Sequence, residues 1–186
     1  MHEICRQARR KPGRSRVILI GIGSNLAAPP FSSPEDTVSA AVAQLPAIGI
    51  AVVLRSRWYL SQPVPPSDQP WYVNGVAAVE TRLAPAALLT ALLLLETRFG
   101  RRRGAPNAAR TLDLDLIDYD GRQCAGERLT LPHPRLHERR FVLAPLAEIA
   151  PGWRHPRLAL TASELLIRLA PGDPVCALGE PAPPRG

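Results

Sequence analysis

The sequence predicts an α+β domain with a ferredoxin-like βαββαβ core: a mostly antiparallel sheet with helices packed on one face. Three observations predict it. Runs rich in β-branched and aromatic residues recur at 17–20, 50–60, 71–82 and 111–119 and read as strands. Two segments with helix start and stop signals, 34–44 and 85–99, fall between them in the order strand, helix, strand, strand, helix, strand. No repeat or internal change of composition divides residues 17–170, so one domain is expected there, between a flexible basic tail over 1–16 and a Pro/Gly-rich tail over 171–186.

Each element has its own reason. Val17 to Ile20 is a short apolar run, and Gly21-Ile22-Gly23-Ser24-Asn25 behind it reads as a turn, since glycine tolerates positive φ. Ser33 can cap a helix that begins at Pro34 and carries Asp36 in its first turn, with Val38, Val42 and Leu45 packing inward. Ile50 to Leu60 reads as one strand. Four prolines within Ser61 to Pro70 make a stiff loop. Trp71 to Arg82 is a further strand. Pro85 to Phe99, rich in Ala and Leu and stopped by Gly100, is the clearest helix. Arg101 to Ala109 is an Arg-Gly-Pro loop, and Thr111 to Tyr119 alternates as a strand. Pro132 and Pro134 keep 129–140 irregular, and a short helix follows over 141–149 before Pro151.

The chain has 186 residues and a formal net charge of +7. That charge suits an anionic partner, either nucleic acid or a polyphosphate. Cys5, Cys124 and Cys176 lie far apart, without CxxC or Cys-His metal spacing, and read as reduced cytosolic thiols. No apolar run is long enough to span a membrane, and no apolar signal core precedes Val17. A cytoplasmic enzyme, with a monomer as the default, is the expectation.

Arg110-Thr111-Leu112-Asp113-Leu114-Asp115-Leu116 carries the most chemistry. On a strand the three leucines share one face, and Asp113 and Asp115 share the other, roughly 6.5–7 Å apart at the backbone. Two carboxylates so placed can grip one hard cation or share a pair, and Mg²⁺ favours one or two carboxylates plus phosphate oxygens. The plain alternative is a solvated strand face that carries two acids. Arg98, Arg101, Arg102, Arg103 and Arg110 cluster near the pair, and carboxylates beside guanidinium forks suit phosphoryl transfer. Lys11 is the chain's single lysine, so no P-loop can form, and the glycine spacing at 21–26 does not fit a dinucleotide fingerprint. His133 and His137 are four apart, but Pro134 argues against the helix that a zinc pair would need. His133 reads better as a phosphate donor or as a structural histidine. Tyr72 and Asn74 share a strand face and could stack a flat heterocycle and read its edge, with Phe141 as an opposite wall.

Taken with Ile22-Gly23-Ser24-Asn25-Leu26, Asp68-Gln69-Pro70-Trp71-Tyr72-Val73-Asn74 and Leu131-Pro132-His133 followed by Arg139 and Phe141, the Arg-Thr-Leu-Asp-Leu-Asp run resembles the 6-hydroxymethyl-7,8-dihydropterin pyrophosphokinase family over about Val17 to Pro151. The resemblance implies transfer of pyrophosphate from ATP to the pterin, with AMP leaving, in folate biosynthesis. It implies that Asp113 and Asp115 bind two Mg²⁺ ions and that Glu96 helps to position a substrate. Arg101 and Arg103 would lie in a loop closing over ATP, with Arg101 and Arg110 acting in catalysis. Arg110, His133 and Arg139, with Arg128, would contact the triphosphate. Leu116 and Thr130 would line the adenosine pocket. Tyr72 and Phe141 would sandwich the pterin, Asn74 would read its edge, and Ser61 and Val64 would offer it backbone groups. Two departures stand out: Pro106-Asn107-Ala108-Ala109 replaces an Arg-Trp-Gly-Pro stretch in a loop one residue shorter, and Pro134 follows His133 where Tyr is common.

A ferredoxin-like nucleic-acid-binding module is the competing reading, but Asp113 and Asp115 on a central strand would repel backbone phosphates. A palm-type nucleotidyl transferase also uses strand carboxylates; the Tyr72 and Asn74 pair favours a small flat substrate instead. The expected partners are therefore small molecules, not nucleic acid or membrane.

Overall fold

The computed structural model describes residues 5–6, 17–102, 108–169 and 174–178. In chain order the strands are β1 (Cys5–Arg6), β2 (Ile18–Ser24), β3 (Ile50–Arg55), β4 (Tyr59–Ser61), β5 (Tyr72–Thr81), β6 (Asp113–Tyr119), β7 (Gln123–Ala125), β8 (Thr130–Leu131) and β9 (Val175–Ala177). The helices are α1 (Pro34–Gln44), α2 (Pro85–Arg98), α3 (Arg140–Ile149) and α4 (Ala162–Arg168). The main sheet runs β6-β2-β5-β4-β9, with β3 also on β5, and every pairing is antiparallel. A small sheet, β1-β7-β8, stands beside it.

The predicted order of elements is present, with instructive departures. β2 does not end at Ile20: Gly21 and Gly23 continue it, paired with Val76 and Asn74 on β5 and with Asp115 and Asp113 on β6. The glycines serve close approach instead of a turn. The expected strand over 50–60 is two strands in tandem along one edge of β5. Between them Ser56 donates its N–H to the Val76 carbonyl (3.0 Å), and its hydroxyl accepts the Val76 N–H (3.1 Å), so the side chain substitutes for ladder pairing at the break. Trp58 then turns its ring over Gly75.

Helices cover both faces, not one. On the first face, Ile18, Ile20 and Ile22 of β2 and Leu114 and Leu116 of β6 pack with Val38 of α1 and Leu88, Leu92 and Leu95 of α2. On the second, Leu19, Val76 and Ile117 pack with Leu143 and Leu146 of α3, Leu165 of α4, and Trp153. The caps of α1 and α4 are local: Ser33 accepts the Asp36 N–H, and Thr161 with Glu164 forms a reciprocal capping box.

β9 lies within the segment expected to be a tail and pairs with β4. β1 lies in the expected N-terminal tail, and the rest of that tail falls outside the described residues. Cys124 is disulfide-bonded, with Cys5 opposite it in the β1–β7 register, whereas Cys176 is free; the expectation of three reduced thiols is thus corrected at Cys124. Among the described residues no helix is long and apolar enough to cross a membrane.

Candidate active site

The second face of the sheet is covered by α3 and α4 at the Leu19 and Ile117 level and opens beyond it. There a cavity of about 430 Å³ is lined by Gly21 and Gly23 of β2, Asp113 and Asp115 of β6, Tyr72 and Asn74 of β5, Arg110, Arg139 and Phe141. The glycines form its floor. A Cβ on Gly23 would stand 3.3 Å from Asn74 Oδ1, and one on Gly21 would stand 3.3 Å from Ile117 Cδ1. Side chains here would crowd the space in front of both carboxylates.

Strand alternation places Asp113 and Asp115 side by side in this cavity, with Leu112, Leu114 and Leu116 in the opposite core, as the pattern predicts. Arg101 Nη1 lies 2.6 Å from Asp113 Oδ1, and Arg110 Nη1 lies 3.0 Å from Asp113 Oδ2. Arg139 Nη1 and His133 Nε2 stand 3.7 and 3.9 Å from Asp115 Oδ2. Desolvation pushes the Asp115 carboxyl up to about 6, and the neighbouring Asp113 charge adds to the shift. Asp113 is matched by two guanidinium groups, whereas Asp115 is left shorter of positive charge.

Glu96, on the last turn of α2, is 3% exposed. It accepts the Leu114 N–H at 2.7 Å and forms a close ion pair with Arg101, so it ties α2 to β6 and orients the arginine. Burial raises its pKa to about 7. The His133 N–H is held by the Ile117 carbonyl at 2.8 Å, and its Nδ1 accepts the Arg135 N–H at 3.3 Å. Desolvation, with the charges of Arg139 and Arg135, lowers its pKa to about 4. His133 is therefore neutral at pH 7, and since Nδ1 accepts, the ring proton sits on Nε2, 3.9 Å from Asp115 Oδ2 and free to donate to a ligand.

The other end of the cavity is aromatic and amide-lined. Asn74 is buried and donates Nδ2 to Ser61 Oγ at 2.9 Å, which fixes its amide plane. Tyr72, Val64, Ser61 and Phe141 line the same space. Arg139 lies 5.6 Å from the centre of the Phe141 ring, so the two ends adjoin.

Some expected residues lie elsewhere. Leu116 is buried in the core on the far face of β6 and does not line the cavity. Thr130 bonds the Gly126 carbonyl within the small sheet, and Arg128 is exposed in the turn before it; neither lines the cavity. Arg103 falls outside the described residues. His137 packs edge-on against His155, 5.6 Å between ring centres, apart from His133.

Asn25 was legible only as part of a motif, without a role. It is 1% exposed. Its Oδ1 accepts the Arg110 N–H at 2.8 Å, and its Nδ2 reaches Gln69 Oε1 at 3.2 Å and the Pro70 carbonyl at 3.3 Å. It thereby joins the arginine end to the loop before β5. The signal was a polar residue directly after a strand of small and apolar residues, where burial demands partners.

Among the described residues no group of three or more His, Cys, Asp or Glu is placed to hold a metal ion. A cation at Asp113 and Asp115 would take its remaining oxygens from a ligand or water. That donor set fits Mg²⁺ carried in with phosphate oxygens and does not fit a closed structural site.

Comparisons with known proteins bear on the family and the fold. A family model for 7,8-dihydro-6-hydroxymethylpterin-pyrophosphokinase matches residues 19–151. The 2-amino-4-hydroxy-6-hydroxymethyldihydropteridine pyrophosphokinase of Synechocystis is 42% identical over 156 residues, covering 83% of this chain and 77% of the relative. Its namesake from Pseudomonas aeruginosa is 41% identical over 142 residues, covering 75% and 83%. The crystal structure of Plasmodium falciparum HPPK-DHPS superposes with a TM-score of 0.59 at 11% identity, which bears on the fold alone; the match covers 82% of this chain and 43% of that one. The chain belongs to the 7,8-dihydro-6-hydroxymethylpterin-pyrophosphokinase family.

Proposed function

We propose that this chain transfers the terminal pyrophosphoryl unit of ATP to 6-hydroxymethyl-7,8-dihydropterin. The hydroxymethyl oxygen attacks the β-phosphorus, the bond from that phosphorus to the α-phosphate oxygen breaks, and AMP leaves. The hydroxyl proton is released, and the pterin carries the diphosphate. The carrying observation is that one cavity joins a carboxylate-and-arginine wall to an aromatic, amide-edged slot.

In this reading Asp113 and Asp115 would hold two Mg²⁺ ions. Bound there, the ions would neutralise phosphate charge. Arg110 and Arg139, on either side of the carboxylates, bind the triphosphate and offset charge in the transition state. Arg101 belongs to the same wall, oriented by Glu96. His133, neutral, donates from Nε2 to a phosphate oxygen. By family resemblance alone, Arg103 and Arg128 would contact the triphosphate and Leu116 and Thr130 the adenosine; Leu116, Thr130 and Arg128 lie outside the cavity itself. Tyr72 and Phe141 stack the pterin, Asn74 reads its edge, and Ser61 and Val64 complete the slot. Because a single chain supplies both ends of the cavity, a monomer suffices. Use of ATP suits a cytoplasmic location.

The test is a pair of isosteric variants. Asp113→Asn and Asp115→Asn should each abolish AMP formation while binding a fluorescent pterin about as well as the unmodified chain. Full turnover in either variant would remove the carboxylates from the reaction.

A further inference from the structure

Asp113 is already occupied. Its Oδ1 lies 2.6 Å from Arg101 Nη1, and its Oδ2 lies 3.0 Å from Arg110 Nη1. A divalent ion on Oδ1 would sit about 2.1 Å from that oxygen. Ion and guanidinium nitrogen would then be no more than about 5 Å apart on the same atom, with the desolvated Glu96 as the arginine's other partner. Like charges at that distance disfavour one another. Arg101 can leave Asp113 at little cost only if another anion receives it, and a nucleotide's phosphates are such an anion.

We infer that Arg101, supported by Arg110, is a resident counter-cation that keeps metal off Asp113 until a nucleotide draws the arginine away, so that metal uptake is conditional on nucleotide. This rests on the proposed phosphate and metal roles of the same wall. Two features favour it over a merely structural ion pair. Arg101 reaches past Glu96 with its side chain to contact an Asp113 carboxylate oxygen directly. Its backbone N–H is tethered to the Glu96 carbonyl at 3.1 Å, so the side chain can swing while the chain stays in place. Asp115, by contrast, has the Arg139 guanidinium at 3.7 Å and the neutral His133 at 3.9 Å, and is left less fully matched.

The test is Mn²⁺ titration of the full chain, read as loss of the free-ion EPR signal, without nucleotide and then with a non-hydrolysable α,β-methylene ATP. Without nucleotide, Arg101→Gln should bind Mn²⁺ at least about tenfold more tightly than the unmodified chain, since a neighbouring like charge is worth about one to three decades. Arg101→Lys, which keeps the charge, should stay close to the unmodified chain. With the analogue present the gap should narrow. Adding Asp113→Asn to Arg101→Gln should cancel the gain. Equal or weaker Mn²⁺ binding by Arg101→Gln without nucleotide overturns the inference, as does a gain that survives Asp113→Asn. If Arg101→Gln does not fold, Arg110→Gln, which frees Oδ2, should shift binding in the same direction, and no shift overturns the inference. Analogue-dependent Mn²⁺ uptake by the unmodified chain separates the two failures: if it is present, only the counter-cation role falls; if it is absent, the metal assignment falls as well.

Discussion

Replacing Asn25 with Ala should damage the protein at two places at once. The side chain makes three hydrogen bonds: one from the Arg110 N–H, and two to Gln69 and the Pro70 carbonyl. At about 0.5–1.5 kcal/mol net for each bond, with partners left unpaired at a site 1% exposed, the loss should be about 3 kcal/mol. For a chain of this length that lowers the melting temperature by roughly 6–12 °C. The Asn25 and Leu26 N–H groups still hold the Arg110 carbonyl at 3.1 and 3.3 Å, so Arg110 loosens without being lost. A misdirected guanidinium should cost at least about tenfold in kcat/KM, the equivalent of about 1.4 kcal/mol. Asn25→Asp keeps the acceptor for Arg110 but loses the Nδ2 donor that serves Gln69 and the Pro70 carbonyl. The expected order is the unmodified chain, then Asn25→Asp, then Asn25→Ala, both in calorimetric melting and in steady-state rate. Should Asn25→Ala melt within about 2 °C of the unmodified chain and keep its rate, the reasoning that this amide couples the two ends of the cavity fails.

Three further outcomes follow from the structure. Glu96, raised to about 7 when folded, stabilises most below its unfolded value of 4.5, and that contribution is lost as pH rises through 7. Glu96→Gln should therefore gain stability relative to the unmodified chain between pH 5 and 8, by about 3 kcal/mol at most, and a pH-independent difference in chemical denaturation would contradict this. Gly75→Ala puts a methyl 2.6 Å from the Trp58 ring and should cost about 1–3 kcal/mol in denaturant melts, whereas Gly21→Ala meets the flexible end of Ile117 at 3.3 Å and Asp115 Cβ at an ordinary 3.6 Å and should cost less; equal costs would refute the packing account. Tyr72→Ala and Phe141→Ala should each weaken pterin binding by about tenfold in calorimetry with little change for ATP, and an unchanged pterin affinity would remove the stacking slot.

What the sequence revealed follows the range of each signal. Leu112 to Leu116 alternating with Asp113 and Asp115 is a local pattern, and it fixed the strand, its faces and the carboxylate pair. Helices α1 and α2 were legible from Ser33, Pro34, Pro85 and Gly100 for the same reason. Gly21 and Gly23 misled, because a glycine needed for close approach and one needed for positive φ look alike in sequence. The break at Ser56 depends on a hydroxyl bonding Val76 twenty residues away. β9 is a strand only because β4 offers it an edge, and α3 with α4 cover the second face through contacts that no short window records. The Thr161–Glu164 capping box was visible as a local signal for α4 and went unassigned. Glu96 was placed near the site, but its bridge between Leu114 and Arg101 depends on how α2 meets β6. Leu116 shows the converse: strand alternation alone sends it into the core, away from the cavity that holds its neighbours.

The central claim is most directly tested by the nucleotide product. Purified protein is incubated with ATP, Mg²⁺ and 6-hydroxymethyl-7,8-dihydropterin, and the phosphorus species are followed by ³¹P NMR. The account predicts AMP and a pterin diphosphate in equal amounts, with turnover lost when Mg²⁺ is chelated. ADP with a pterin monophosphate, or ATP left intact beside bound pterin, would contradict it.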